Sequence, residues 1–518
     1  WQRIPGVAGS DVPPRGGALG DDVTVLFLID SNIAIASEPL SVNLEVGAGP
    51  ALQFLRMASQ HHHDVRTHPS SRLDFARIAD VSMRRARLTM FERYLPLASP
   101  PGISEEQTRL IGVPAPGSND AVDQALLAAI MGNAAEYLVT EDQGIHRNAR
   151  RLGVGDRVMT VADALSTLNA LHIEMPSPPP AVERVKVHEL DVRDPIFDTL
   201  KEDYPEFPTW LTRVSREQRD ALLVRGEHGH AAIAILKREM EGMPDLPGPL
   251  LKICTLKVAE GHSGQKYGEL LLKTVFHQAH VENDAGIYLT VFDKHEQLIE
   301  LIEDFGFEWR GDTTRPAGKI FAKRHGAAGD PTGLGPLDFH VRYGPPALAV
   351  ASAQVFLVPI EPRWHRVLFP DAEPADDALL PAIAGLAVKP FGNAIRKAYL
   401  CNSPSRLLSP GDILLFYRSQ DERAIWVVGV CEQVLVSSEA AHVAAIVGRR
   451  TVYSYDDIND LTRKGEVLAI LFRQDRILRD APIPLVELMA NRALRGAPQS
   501  ITRAREEGTT WLKKRLVG

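Results

Sequence analysis

Two Pro/Gly-rich stretches divide this 518-residue sequence, and neither can lie inside a sheet. MPSPPPAV (175–182) is a polyproline-type spacer, because each ring fixes φ and removes a backbone donor. HGAAGDPTGLGP (325–336), followed by YGPPALAVASA (343–353), is a second joint. The length exceeds what one hydrophobic core serves. The expected order is a disordered leader (1–20), a first domain (21–172), a Pro-rich linker (173–182), a second domain (183–325), a Gly/Pro-rich linker (326–352) and a third domain (353–518).

Composition is that of a water-soluble chain, 44% apolar and 24% charged with net charge −8, which argues against a uniformly basic nucleic-acid coat. No run approaches the 18 apolar residues of a membrane span, so no membrane partner is expected. The first twenty residues lack a secretory h-region. Cys254, Cys401 and Cys431 are isolated, without CxxC spacing, which fits a reducing cytoplasm. From residue 352 onward there are 22 Lys+Arg against 19 Asp+Glu, a balance that permits a nucleic-acid surface on the last block.

The first block alternates apolar runs with helical patterns. VTVLFLID (23–30) and EYLVTED (136–142) read as buried strands. ALQFLRMASQ (51–60), LDFARIADVSMRRARLTMFERY (73–94), DAVDQALLAAIMGNA (120–134) and VADALSTLNAL (161–171) read as helices, the second of these as one long basic helix. Such βα alternation predicts a parallel sheet covered on both faces. Asp30 and Asp142 end the two strands, Asp123 lies at the start of a helix, and Asp74 lies between them in sequence. Ligands of open α/β sheets bind at the carboxyl ends of strands, and carboxylates gathered there repel unless a cation joins them. A divalent ion is the expected answer.

With LIDSNI, NDAVDQALLAA and YLVTEDQGIHRNARRLG in that order, the first block resembles a PIN-domain ribonuclease. The resemblance implies metal-dependent RNA cleavage. Asp30, Asp123 and Asp142 would hold Mg2+ or Mn2+, and Asp74 would be the less regular fourth catalytic acid. Asp120, one turn before Asp123, is a stand-in, and Asn32 and Thr140 are expected to hydrogen-bond the ligands. His61, His62 and His63 lack ligand spacing and read as a solvated loop. Arg77, Arg84, Arg85 and Arg87 are either a solvated helix face or a phosphate track.

In the second block LLKICTLKVAE, GHSGQKYGELLLKTVFHQA, GIYLTVF and LIELIEDFGFEWRGD give strand, Gly-containing turn, helix, strand, helix and strand. This resembles the GNAT acyltransferases and implies an α+β domain that binds acetyl-CoA. The pyrophosphate would lie on the turn and on the helix N-terminus that follows it. The implied cofactor-binding residues are Val258, Gly264, Gln265, Lys266 and Gly268. The sequence departs from the family pattern: Ser263 takes the first position of the turn and Lys266 its middle glycine. The family's Asn and Tyr fall on His295 and Ile302, which removes the usual acid for the CoA thiolate; Tyr288 is a substitute or a packing residue. Trp210 either shapes an acceptor pocket or belongs to the core.

The third block carries VFLVPI, GNAIRKAYLCNS, PGDILLFYR, AIWVVGVCEQV and VLAILFR, read as strands with a helical excursion before the last. The set resembles the ASCH/EVE branch of PUA-like domains and implies a small β-barrel that binds RNA. Asn393, Lys397, Tyr399, Tyr417, Arg449, Arg450, Thr451, Gln499 and Ser500 are its candidate RNA contacts.

The fold expected is therefore α/β with a PIN-like parallel sheet, plus an α+β GNAT domain, plus a small PUA-like barrel. The function expected is an RNA-directed enzyme, a metal-dependent endoribonuclease coupled to an acetyl-CoA-binding domain. By analogy of architecture it would be a toxin or stress effector acting on tRNA, with an antitoxin or regulatory partner. The alternative is an N-acetyltransferase whose flanking domains only bind RNA or partners.

Overall fold

In VTVLFLID the segment Leu26–Ile29 forms β1, and Phe27, Leu28 and Ile29 are all lost to solvent, as in a strand covered by helices on both faces. The computed structural model describes residues 25–37, 48–172, 182–226, 229–314, 317–326, 333–372 and 390–517. The expected leader and all but residue 182 of the Pro-rich spacer lie outside them.

Around β1 lie β2 (Asp64–Thr67), β3 (Leu95–Pro96), β4 (Tyr137–Val139) and β5 (Val158–Met159), in the order β3-β2-β1-β4-β5 and all parallel. The helices are α1 (Ser31–Ser37), α2 (Ala48–Gln60), α3 (Arg72–Ala76), α4 (Val81–Phe91), α5 (Glu105–Ile111), α6 (Asn119–Met131), α7 (Gln143–Arg151) and α8 (Val161–His172). Strand alternation sorts them onto two faces. Phe27 and Ile29 pack with Ile33, Phe54 and Leu168, whereas Leu28 and Leu138 pack with Leu126, Ile130 and Ile145. The chain winds outward from β1 to β3 and returns to β4 on the other side of β1. The carboxyl ends of β1 and β4 therefore flank the crevice where the winding reverses.

The single long basic helix expected at 73–94 is two helices. The chain leaves α3 at Arg77, and Asp80 Oδ1 accepts the Met83 amide at 2.8 Å, starting α4 afresh. The His triplet is a solvated turn only in part: His62 is exposed there, His61 half-buried. His63 is buried, its Nδ1 accepts the Val25 amide at 3.2 Å, and its Nε2 lies 2.7 Å from His172 Nε2. His61 stacks on the His172 ring at 3.9 Å. The imidazoles close the bottom of the sheet, away from the strand ends that carry the acids.

The second sheet runs β11-β12-β10-β9-β8-β7-β6. Its strands are β6 (Val182–Lys186), β7 (Asp220–Gly226), β8 (Gly229–Glu239), β9 (Leu250–Val258), β10 (Gly286–Val291), β11 (Glu308–Thr314) and β12 (Ala317–Arg324). Every neighbouring pair is antiparallel except β9 and β10. Helix α11 (Tyr267–Val281) packs on one face through Leu271, Leu272, Val275 and Phe276. Helices α9 (Asp198–Asp203) and α10 (Phe207–Arg216) cover the other, and α12 (Glu296–Asp304) follows β10.

In the third region α13 (Pro336–Tyr343) and α14 (Pro362–Leu368) flank β13 (Val355–Ile360). The remaining strands are β14 (Arg396–Cys401), β15 (Ile413–Arg418), β16 (Ala424–Ser437), β17 (Val467–Ile477), β18 (Ile483–Pro484) and β19 (Thr502–Arg503). They pair in the path β14-β17-β16-β15-β13-β19, with β18 on β16. A closed barrel is not seen among the described residues, because the path is open at both ends. The edge of β14 meets the turn 448–450 and the helix Tyr455–Lys464 instead of β19.

The first and third regions share one hydrophobic core. Phe27, Tyr137 and Leu168 belong to the same packed cluster as Val443, Ala444, Tyr455 and Phe472. The Tyr137 hydroxyl donates to the Ala444 carbonyl, and a Cβ on Gly448 would fall on the Tyr137 ring.

Candidate functional site

A cleft of about 1420 Å³ is built where the parallel pair β9/β10 comes apart. The two strands pair only from Leu250↔Gly286 to Ile253↔Leu289. Beyond that register Cys254–Val258 separate from β10, whose other edge stays paired with β12 through Val291. The wedge leads to the turn at 263–266 and the start of α11. Gly264 (φ +79) and Lys266 (φ +60) both hold left-handed backbone there. Such a turn aims the amides of a helix N-terminus into the cleft, a geometry suited to phosphate.

Val258, Gly264, Lys266 and Gly268 line the cleft; Gln265 is in the turn but not among the lining residues. Lys266 Nζ is 3.1 Å from Glu269. Glu269 is buried and also accepts the amide of Ile395 at 3.0 Å; burial alone would raise its carboxyl, but Lys266 first and then these neighbours hold it below its ordinary range. Ile302 is fully buried against α11 and cannot act as an acid, and His295 precedes α12. Tyr288 is also no substitute. Its hydroxyl donates to Glu239 beneath the sheet, and burial together with that carboxylate pushes it far above its ordinary value.

Sequence reading missed the other walls of the cleft. Glu141, Gln143, His146, Arg150 and Asp163 come from the first region, and Arg396 and Arg450 from the third. Ser166 on α8 donates to the Gly264 carbonyl at 3.0 Å, and Arg150 meets Glu300 on α12 at 2.8 Å. At the far end three regions join through charge. Glu432, its side chain 10% exposed, sits among Arg450, Arg473 (2.6 Å) and Arg396 (3.2 Å); Arg450 also pairs with Asp156, and Arg396 with Asp304 at 3.2 Å. Burial would lower the Arg396 guanidinium, but Glu432, Asp156 and Asp304 keep it raised.

The four predicted acids occupy the crevice at the ends of β1 and β4. Asp30 is buried; its Oδ2 accepts the Thr140 hydroxyl at 2.7 Å, and its Oδ1 the Ser31 amide at 2.6 Å. Burial raises its carboxyl and these hydrogen bonds offset part of the rise. Asn32 donates to Thr140 at 3.2 Å, and Asp142 caps α7 by accepting the Ile145 amide at 3.0 Å. Asp74 is 3.5 Å from Arg77, and burial raises it. Asp123 stands in the field of all of them: burial, then Asp142, Asp30, Asp74 and Asp120, push it up to about 7. The donor chemistry suits a hard cation, but the spacing does not. Among the described residues no three His, Cys, Asp or Glu are grouped closely enough to hold a metal ion.

The arginines nearby do not form one track. Arg84 donates to the Ile78 carbonyl and Arg87, buried, to the Ile35 carbonyl, each at 3.2 Å; Arg77, exposed, reaches the Gly117 carbonyl, and Arg85 is exposed.

In the third region most predicted RNA contacts are internal. Tyr417 is 1% exposed in the core and offers no face to a base. Tyr399 is buried and donates to the Pro359 carbonyl at 2.8 Å. Lys397 is buried and donates to the carbonyls of Leu368 (2.7 Å) and Gly392; burial, with Lys273 nearby, holds its ammonium well below the ordinary value. Asn393 and Thr451 are buried as well, and Arg450 is committed to Glu432 and Asp156. Of these, Lys397, Tyr399 and Tyr417 lie on strands buried along both faces, so alternation could not mark any of them as facing solvent. Ser500 lies 2.8 Å from Ser403 on the surface side, Gln499 is exposed, and the Arg449 side chain lies outside the described set.

No family model and no curated protein matches the chain. Solved structures do match parts of it. ASCH from Zymomonas mobilis is 17% identical with a TM-score of 0.23, covering 31% of this chain and 94% of its own. IAA acetyltransferase from Bacillus cereus is 14% identical with a TM-score of 0.23, covering 28% and 99%. An acetyltransferase of the GNAT family from Staphylococcus aureus is 15% identical with a TM-score of 0.22, covering 28% and 99%. These are partial likenesses, each spanning less than a third of this chain, and they are to ASCH domains and GNAT acetyltransferases.

Proposed function

We propose that the chain is an acyl-CoA-dependent N-acyltransferase, with 21–172, 183–325 and 353–518 as its three units. The observation that carries this is the parting of β9 and β10 after Ile253↔Leu289, which opens a wedge onto the turn Ser263–Lys266 and the start of α11. A pantetheine arm fits such a wedge as an added strand, its amides meeting the free edge of Cys254–Val258. The pyrophosphate falls on the helix start, near Lys266. The acceptor amine attacks the thioester carbonyl, a C–N bond forms and the C–S bond breaks. The nitrogen loses one proton as the sulfur gains one. Ile302 supplies no acid for that proton, so it passes through another donor or water.

Titration of the full chain with CoA tests the reading. Micromolar binding that is lost in Gly268→Glu, whose side chain would enter the cleft beside Leu301 and Val258, is the expected result. Absence of CoA binding in the unmodified chain would sink it.

A second reading, metal-assisted hydrolysis of RNA at the acidic crevice, is favoured by one observation. Asp123 is held up to about 7 by burial and four neighbouring carboxylates, a field that a divalent ion such as Mg2+ or Mn2+ relieves. Mn2+-dependent cleavage of an RNA pool that vanishes in Asp142→Asn is its test; no cleavage with either metal refutes it.

A further inference from the structure

The cleft is not evenly charged. On the side of the second sheet covered by α9 and α10 it is lined by Arg213, Arg219, Lys237 and Lys252. These four cations share two carboxylates. Arg219 and Arg213 approach Glu217 at 2.5 and 3.8 Å, and Lys237 takes Glu239 at 2.6 Å. The Tyr288 hydroxyl donates to the other oxygen of Glu239, so Lys252 has no ion pair of its own among the described residues and lies 5.1 Å over the Tyr288 ring. One further acid, Glu206, lines this arm from its exposed edge. Aromatic rings line the same arm: Trp210, half-buried, lies one helical turn before Arg213 on α10 and packs on Phe207 at 5.4 Å, and Tyr204 stacks on Phe292 at 4.7 Å.

Cations beside a half-exposed indole suit a ligand that is both phosphorylated and planar. An acidic peptide would satisfy the cations but brings no planar group to Trp210. We infer that this arm receives the acceptor, and that the acceptor amine is carried on a nucleotide, free or at the end of an RNA strand. Phosphate would lie against Lys252 and Arg219, and the base against Trp210. The inference rests on the acyltransferase reading, because it makes this arm the acceptor half of a cleft whose other half holds CoA.

The test uses the full chain saturated with CoA, so that the nucleotide of CoA itself is accounted for. AMP, a short single-stranded RNA and an acidic peptide are then titrated separately into the unmodified chain and into Lys252→Glu, Arg213→Glu and Lys252→Arg. The expected result is binding of AMP or RNA that weakens about tenfold in each charge reversal and persists in Lys252→Arg, with CoA affinity unchanged throughout. AMP binding identifies a free nucleotide; RNA binding without AMP binding identifies a strand end. Normal CoA affinity with nucleotide binding that is absent, or indifferent to both reversals, overturns the inference and leaves the acyltransferase reading standing. Preference for the acidic peptide overturns it too. Failure of CoA to bind is a different outcome: it removes the acyltransferase reading, and this inference with it.

Discussion

The hydroxyl of Thr140 donates to Asp30 at 2.7 Å while accepting the amide of Asp142 at 3.1 Å, so one side chain ties the end of β1 to the start of α7. Asn32 adds a third bond to the same oxygen at 3.2 Å. Thr140→Val keeps the shape and removes all three. The expected loss is about 2 kcal/mol in denaturant unfolding at pH 7, since a buried charged acceptor loses its donor. Thr140→Ser should recover most of it. A Val variant within a few tenths of a kcal/mol of the parent would show that Thr140 does not organise the crevice.

Asp123 sets the pH response of that crevice. Its folded value is about 7 against an ordinary 3.8, so between those values the folded chain binds more protons than the unfolded one. Stability therefore falls as pH rises through this window, and the penalty is fully present above about 7. Asp123→Asn should melt higher than the parent at pH 8 and lose that advantage near pH 4. Thermal melts at the two pH values decide it; a variant less stable at pH 8 contradicts the account.

Mn2+ provides an independent check of the same field. If a divalent ion relieves the repulsion, it raises the melting temperature of the parent at pH 8 and raises that of Asp123→Asn less. Equal shifts in both proteins would place the ion elsewhere.

Arg450 and Asp156 join the third region to the first, with the partly buried Glu432 pairing Arg450 from the other side. Arg450→Met removes a buried cation and leaves Glu432 to Arg396 and Arg473. We expect roughly 2–4 kcal/mol of destabilisation, below the upper range for a fully orphaned charge because two partners remain. A double-mutant cycle with Asp156→Asn should return a coupling of about 0.5–2 kcal/mol. Additive effects would mean that the contact is incidental.

Sequence reading found the elements whose signal is local. VTVLFLID and EYLVTED announce buried strands, and an acid at the end of each marks the crevice. DVRT, which forms β2, has no such signal, because it is four mixed residues held by pairing with β1. Helix α5 was there to be found: Ser104 accepts the amide of Gln107, the S-x-x-Q start of a helix. The cleft was only half legible. Its turn lies in one short stretch, but Arg150 and Arg450 arrive from far along the chain on either side, and no periodicity carries such information. Two of the candidate RNA contacts in the third region lie inside for a related reason. Lys397 and Tyr399 carry polar tips on aliphatic or aromatic bodies, and the fold satisfies those tips with carbonyls rather than with water or RNA.

Gly448 lies against the ring of Tyr137, more than three hundred residues away in sequence, with no room for even a methyl group between them. The consequence concerns how the gene can be cut. A fragment ending after the first joint would carry an unsealed aromatic seam, because Phe27, Tyr137 and Leu168 complete their packing only with Val443, Ala444 and Tyr455. The opening segment thus waits for the closing one during synthesis, and truncation at either joint should yield material that clumps rather than a working module.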